Sequence, residues 1–216
     1  MLSHVLELPG RPLNLLCIGA HSDDLEIGCA GTVLKWLRQR PGSSVTWVVL
    51  AASGERAREA RRSASALLRA AANRQVVLGG FTDSNFPGEF KALKNWFEQL
   101  KRSTQPDVIL THRLEDRHQD HRTAAELTWQ TWRNHLVLEY EIPKFEGDLG
   151  QPNLYVPLPA ALARRKVEHL MRNFGTQRSR AWFQPQTFEG LMQLRAIECR
   201  AAEGFAEAFS ARKLVL

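Results

Sequence analysis

The sequence predicts an α/β protein: a Rossmann-like, doubly wound, mostly parallel sheet with helices on both faces and a C-terminal helical extension. Two observations carry this expectation. Short runs of β-branched and other apolar residues alternate with longer segments of helical period, and each run ends in a cluster of turn-forming or ionisable residues. Such alternation builds parallel strands joined by right-handed helical crossovers, with the ligand site beyond the carboxyl ends of the strands.

Taken in order, residues 13–20 (LNLLCIGA) read as a first buried strand and 27–40 as the helix that follows it. Residues 44–52 (SVTWVVLAA), 75–80 (QVVLGG) and 107–112 (DVILTH) repeat the strand pattern, each leading into an amphipathic stretch at 55–71, 89–103 and 119–135. LVLEYEIP, 136–143, reads as a fifth strand. The pattern then changes. Residues 146–162 are rich in Gly and Pro and read as an extended connection to helices near 160–173 and 188–208. The segment FAEAFSARK (205–213), which overlaps the end of the second, has Phe205, Ala208 and Phe209 at helical spacing, so a helix is the preferred reading. No repeat or long linker divides the chain, which is expected to be one domain over 1–216, with a sheet core of about 10–142 and an extension of 143–216.

At 216 residues the chain can bury a full core without covalent staples. Cys17, Cys29 and Cys199 are odd in number, and the first two lie in apolar segments, so they read as reduced core thiols rather than a disulfide framework. The N-terminus lacks the basic and long apolar regions of a secretory signal, and no apolar run reaches the roughly 18 residues of a membrane span. A cytoplasmic location is expected. The net charge of +6 comes from Arg residues spread along helices rather than clustered, so nucleic acid is not expected as a partner.

Two clusters at predicted strand ends carry the chemistry. The first is His21-Ser22-Asp23-Asp24-Leu25-Glu26. A helix cap accounts for one of these residues, not for a His and two adjacent carboxylates. A turn there places His21 and Asp24 to hold a divalent ion and leaves Asp23 beside them to handle a proton. The second runs from His112 to His121, with three His and three acids. Because both follow strands of one sheet, they are expected to meet, and two His with one Asp and an open position make a catalytic zinc set.

These motifs, His21-Ser22-Asp23-Asp24 and His118-Gln119-Asp120-His121, resemble the PIG-L/LmbE-like N-acetylglucosaminyl deacetylases, whose marks are an AHPDDE-type motif and a later HxDH. The resemblance implies zinc held by His21, Asp24 and His121, with Asp23 as general base. It implies His118 as electrophile or general acid, and Asp120 as the residue that orients and charges it. Arg56, Asp83 and Glu55 are implied to line the substrate pocket. Ser22 replaces the usual Pro, and Leu25 separates Asp24 from Glu26. The segment 139–158 resembles a branch associated with bacterial saccharide biosynthesis.

The implied activity is removal of acetyl from an N-acetylated amino sugar, sugar nucleotide or conjugate, with a homo-oligomer possible. Zn2+ is the implied ion, although the ligand set also suits Fe2+. The alternatives are an amidase for another small amide, such as a thiol–sugar conjugate, and a sugar-binding protein of this fold without chemistry. A dinucleotide enzyme is disfavoured, because carboxylates replace Gly-x-Gly-x-x-Gly after the first strand. No Gly-x-Ser-x-Gly elbow supports a serine nucleophile.

Overall fold

The computed structural model describes residues 11–214; the N-terminal segment on which the absence of a secretory signal was read lies outside them. Strands β1 (Asn14–Gly19), β2 (Ser44–Val49), β3 (Asn73–Leu78), β4 (Val108–Thr111) and β5 (Leu136–Tyr140) are parallel. The expected alternation is present. Helices α1 (Asp24–Gly28) and α2 (Ala30–Gln39) follow β1, α3 (Gly54–Leu67) follows β2, α4 (Phe90–Ser103) follows β3 and α5 (Gln119–Thr131) follows β4.

Strand alternation sorts the core onto two faces. Leu15 and Cys17 join Val45, Trp47 and Val49 on one side, while Leu16 and Ile18 join Val48, Phe97 and Trp132 on the other. Burial on both faces is why these strands read as continuous apolar runs.

The sheet does not stop at residue 142. Strand β6 (Leu154–Pro157) lies within the predicted extended connection, and FAEAFSARK contributes β7 (Ala206–Ala211), giving the order β3-β2-β1-β4-β5-β7-β6. β7 runs antiparallel to both β5 and β6. The preferred helix reading of this segment is therefore overturned: a helix groups Ala208 with Phe209, whereas the strand puts them on opposite faces. With five of its six residues buried, the strand shows no polar alternation to reveal it. Of the two expected C-terminal helices, α6 (Ala160–Asn173) stands where predicted. α7 (Pro185–Cys199) ends earlier, at Arg200 in the left-handed conformation, and Gly204 at φ 74° begins the turn into β7.

Glu207 explains why β7 is held so firmly. Its carboxylate accepts the Gly31 and Thr32 amides at the start of α2, at 2.9 and 2.7 Å, and pairs with Lys166 of α6 at 2.6 Å. Lys166 also donates to the Ile27 carbonyl. Both side chains are about 3% exposed. A Cβ at Gly31 would collide with Leu158 and with the Glu207 carboxylate, so the close approach requires glycine there. Removing one partner leaves a buried, uncompensated charge, at a cost of about 3–5 kcal/mol. Glu207→Ala is therefore expected to lower unfolding stability by that amount in denaturant titration, and Glu207→Ala with Lys166→Met to recover much of it; equal stability of Glu207→Ala and wild type would contradict this network.

Candidate active site

β1 and β4 are neighbours at the point where strand order reverses, since β2 and β3 extend one way and β5 the other. Loops that leave adjacent strands there diverge to opposite faces and leave a crevice between them. The two motif clusters occupy those exits, residues 20–23 after β1 and 112–118 after β4. Their side chains share a cleft of about 300 Å³ with Arg56 and Asp83.

The first loop is not folded by an ordinary helix cap. Asp23 occupies the N-cap position of α1 without a side-chain capping bond, and the Ser22 Oγ is buried without a partner. Instead Asp24 turns back to accept the His21 amide at 2.6 Å. On the second loop, His118 caps α5, its Nδ1 accepting the Asp120 amide at 3.3 Å. That places His121 in the first turn, facing the cleft.

Three side chains converge, Asp24 meeting the two rings through different carboxylate oxygens. His21 Nδ1 lies 3.1 Å from His121 Nε2 and 3.4 Å from Asp24 Oδ2, and His121 Nε2 lies 3.5 Å from Asp24 Oδ1. Metal–ligand bonds of about 2.0–2.1 Å put the corners of a tetrahedron about 3.3 Å apart, so the spacing fits one small divalent ion. The remaining ring nitrogens are anchored: His21 Nε2 lies 3.2 Å from Asp120, and His121 Nδ1 lies 3.0 Å from Asp116. A carboxylate on the far nitrogen fixes the ring and makes the near nitrogen a better ligand. Three overlapping groups are compact: His21, His118 and His121; Asp24, His112 and His121; and His21, Asp83 and Asp120. In the second, the His112 Nε2 already receives the Ala20 amide at 2.9 Å.

The electrostatics agree with a site built for positive charge. Burial alone would depress His21, yet Asp24, Asp120 and Asp83 together raise its pKa well above the ordinary imidazole value. Burial, reinforced by the nearby His112, lowers His121 to about 4, which keeps it a neutral ligand. Asp24 is held far below the carboxylate range despite its burial, because three imidazoles surround it. Asp23 moves the other way, up to about 6, through burial and the adjacent Asp24.

The Asp120 carboxylate is not the group that meets His118: its oxygens accept the Ser84 and Phe86 amides and contact His21, and only its backbone amide reaches His118 Nδ1. Its place in the first turn of α5 aims it at the loop after β3. Nor is His118 charged by it, since burial and the neighbouring His21 lower the His118 pKa. With Nδ1 accepting a backbone amide, the neutral ring carries its proton on Nε2. Glu55 points away, bound to Arg58 at 2.5 and 2.8 Å and half-exposed. Arg56 does line the cleft, 2.7 Å from Asp83 and 3.5 Å from Asp23.

Sequence reasoning assigned no role to His112, which stacks on His121 at 3.9 Å, or to Asp116, which also accepts the His118 amide at 2.8 Å and meets Lys144 at 3.1 Å. Both lay in the second cluster, but nothing in residue order says which of its acids turns inward. The outer wall, formed by residues 142–146 and 177–182, also went unread.

A sequence profile described as GlcNAc-PI de-N-acetylase, PIG-L, matches residues 16–132, more than half the chain. The chain belongs to the PIG-L family. The matched span runs from β1 to the end of α5 and contains both motif clusters. No curated protein sequence is matched. Among solved structures, the conserved protein TT1542 from Thermus thermophilus is 21% identical, covers 94% of this chain and 96% of its own, and superposes with a TM-score of 0.69. The 4-carboxy-2-hydroxymuconate hydratase GalB from Pseudomonas putida is 15% identical over 94% and 98%, with a TM-score of 0.73. The N,N'-diacetylchitobiose deacetylase from Pyrococcus horikoshii is 18% identical over 92% and 83%, with a TM-score of 0.68. The PIG-L fold is thus shared by a deacetylase and a hydratase. Among the described residues no helix is long and apolar enough to cross a membrane.

Asp116→Asn replaces the acceptor behind His121 and is expected to weaken binding of an added divalent ion roughly 10- to 100-fold, read by competition with a chromophoric chelator. Glu55→Ala, which touches neither cleft nor His121, should leave that affinity within about two-fold, as for an ordinary surface change. A reversal of that order would contradict the anchoring described here.

Proposed function

We propose that the protein is a metal-dependent N-deacetylase that hydrolyses the acetamide of an N-acetylated amino sugar or sugar conjugate, with zinc as the expected ion and saccharide biosynthesis as its setting. The observation that carries this reading is the convergence of His21 Nδ1, His121 Nε2 and Asp24 beside a separate buried carboxylate, Asp23. A sugar-binding protein without chemistry has no use for that pairing. Membership of the PIG-L family supports the amide as the bond attacked.

Amide hydrolysis needs an activated water, a polarised carbonyl and a proton for the departing amine. A divalent ion held by the three ligands supplies Lewis acidity toward carbonyl and water when bound. Asp23, raised to about 6 by burial, is matched to taking a proton from water near neutral pH and returning it to the amine. Neutral His118 donates its Nε2 proton as a hydrogen bond to the oxygen on which negative charge develops. Asp120 acts behind His21, holding the ring so that Nδ1 faces the cleft. Arg56 neutralises Asp83 and steadies Asp23, while Asp83, half-exposed at the rim, is placed to accept a sugar hydroxyl.

The decisive assay is acetate release from N-acetylated amino sugars by the zinc-loaded protein, by protein stripped with chelator, and by Asp23→Asn. Stripping is expected to abolish release and zinc to restore it. Asp23→Asn should retain zinc and lose about 10²- to 10⁴-fold in turnover. Undiminished turnover in Asp23→Asn would overturn the assigned base. Zinc-loaded wild type that releases no acetate, but adds water to an unsaturated acid, would favour a hydratase like GalB.

A further inference from the structure

The wall of the cleft opposite the metal ligands is made by the chain beyond β5, and its side chains have no part in the chemistry derived above. Three cations face the cleft, Arg56, Lys144 and Arg180. Arg56 is matched by Asp83 and Asp23, and Lys144 by Asp148 and Asp116 at 2.6 and 3.1 Å. Arg180 is different. It is exposed, and its side chain forms no hydrogen bond or ion pair among the described residues. Trp182, half-buried, and Phe145, which is 72% exposed, also line this cleft.

The backbone that carries Arg180 and Trp182 is firmly held. The Arg180 amide donates to the Gln177 carbonyl and the Phe183 amide to the Arg180 carbonyl, at 2.9 and 3.0 Å. Phe183 is fully buried, packing edge-on against Phe188 and Trp182. Upstream, the Thr176 amide and hydroxyl both donate to Glu59, at 3.0 and 2.6 Å. Glu59 lies one turn after Arg56 on α3, so one helix fixes both the inner pocket and the outer wall. A guanidinium held ready at the mouth of a cleft without a carboxylate is a binding group whose partner comes from outside.

We propose that Arg180, with Trp182 and Phe145, forms a subsite for a phosphate group carried by the amino sugar, so that the substrate is a glycosyl phosphate. This rests on the deacetylase reading for the sugar itself. The planar guanidinium fork matches two phosphate oxygens, and the flanking rings offer flat surface to whatever the phosphate is joined to. Glu146, exposed on the Phe145 loop and also unpaired among the described residues, repels an anion on its own side and directs the phosphate toward Arg180.

Calorimetric binding of the deacetylated products separates this claim from the catalytic one, because it needs no turnover. Glucosamine 1-phosphate is expected to bind wild type roughly ten-fold tighter than glucosamine or a neutral amino disaccharide, and Arg180→Ala to erase that preference without altering glucosamine binding. Uridine diphosphate glucosamine distinguishes the source of the phosphate. Tighter binding still, lost in Phe145→Ala, identifies a nucleotide; no gain over the 1-phosphate identifies a sugar phosphate without a base. Equal affinity of wild type for glucosamine and its 1-phosphate, a preference for the neutral disaccharide, or a phosphate preference that survives Arg180→Ala would each overturn the subsite. Failure of wild type to release acetate while the phosphate preference holds would refute the deacetylase reading alone.

Discussion

Asp24 is a carboxylate about 4% exposed at the exit of β1, and a carboxylate so placed must be matched by donors or positive charge. The answer is a ring of imidazoles. His21, His112 and His121 close around it, and its own Oδ2 receives the His21 amide. Each imidazole in turn needs its far nitrogen or its ring plane fixed, which Asp120, Asp116 and the stacked pair of His112 and His121 accomplish. The constraint passes outward to the Ser84 and Phe86 amides and to Lys144, so loops after three different strands are tied to one buried charge.

The same dependence explains what was legible in the sequence. The five parallel strands were readable because burial on both faces leaves continuous apolar runs, and their order put two polar clusters at the sheet's switch point. That His21 and Asp24 would lie together was readable because no capping rule accounts for a His and two acids in one turn. The role of Asp120 was not. HxDH places it between two His, but α5 rotates it toward β3, a direction that exists only once the helix is docked. His118 was expected to be charged by Asp120, whereas burial and His21 push its pKa down. β7 was missed because a nearly fully buried strand of Ala, Glu and Phe carries no alternation, and the reason for Glu207 lies in α2 and α6, far away in the chain.

The C-terminal third is thus more than an appendage to the sheet. It supplies two strands, a buried ion pair that seats α2, and the outer wall of the cleft. Residues of the PIG-L motifs line one part of the cleft, and residues 142–146 and 177–182 form its outer wall. A fold shared by a deacetylase and a hydratase does not by itself set the reaction, which depends on the side chains that the cleft presents.

The central claim is that one ion sits among His21, Asp24 and His121. A crystal structure of the zinc-loaded protein, with the ion located by anomalous scattering, tests it directly. The account predicts a single ion about 2.0–2.2 Å from His21 Nδ1, His121 Nε2 and the Asp24 carboxylate, with its open side toward Asp23 and His118. An ion bound by His112 in place of His21, an ion on the Nε2 side of His21 with Asp83 and Asp120, or no ion at all would contradict it.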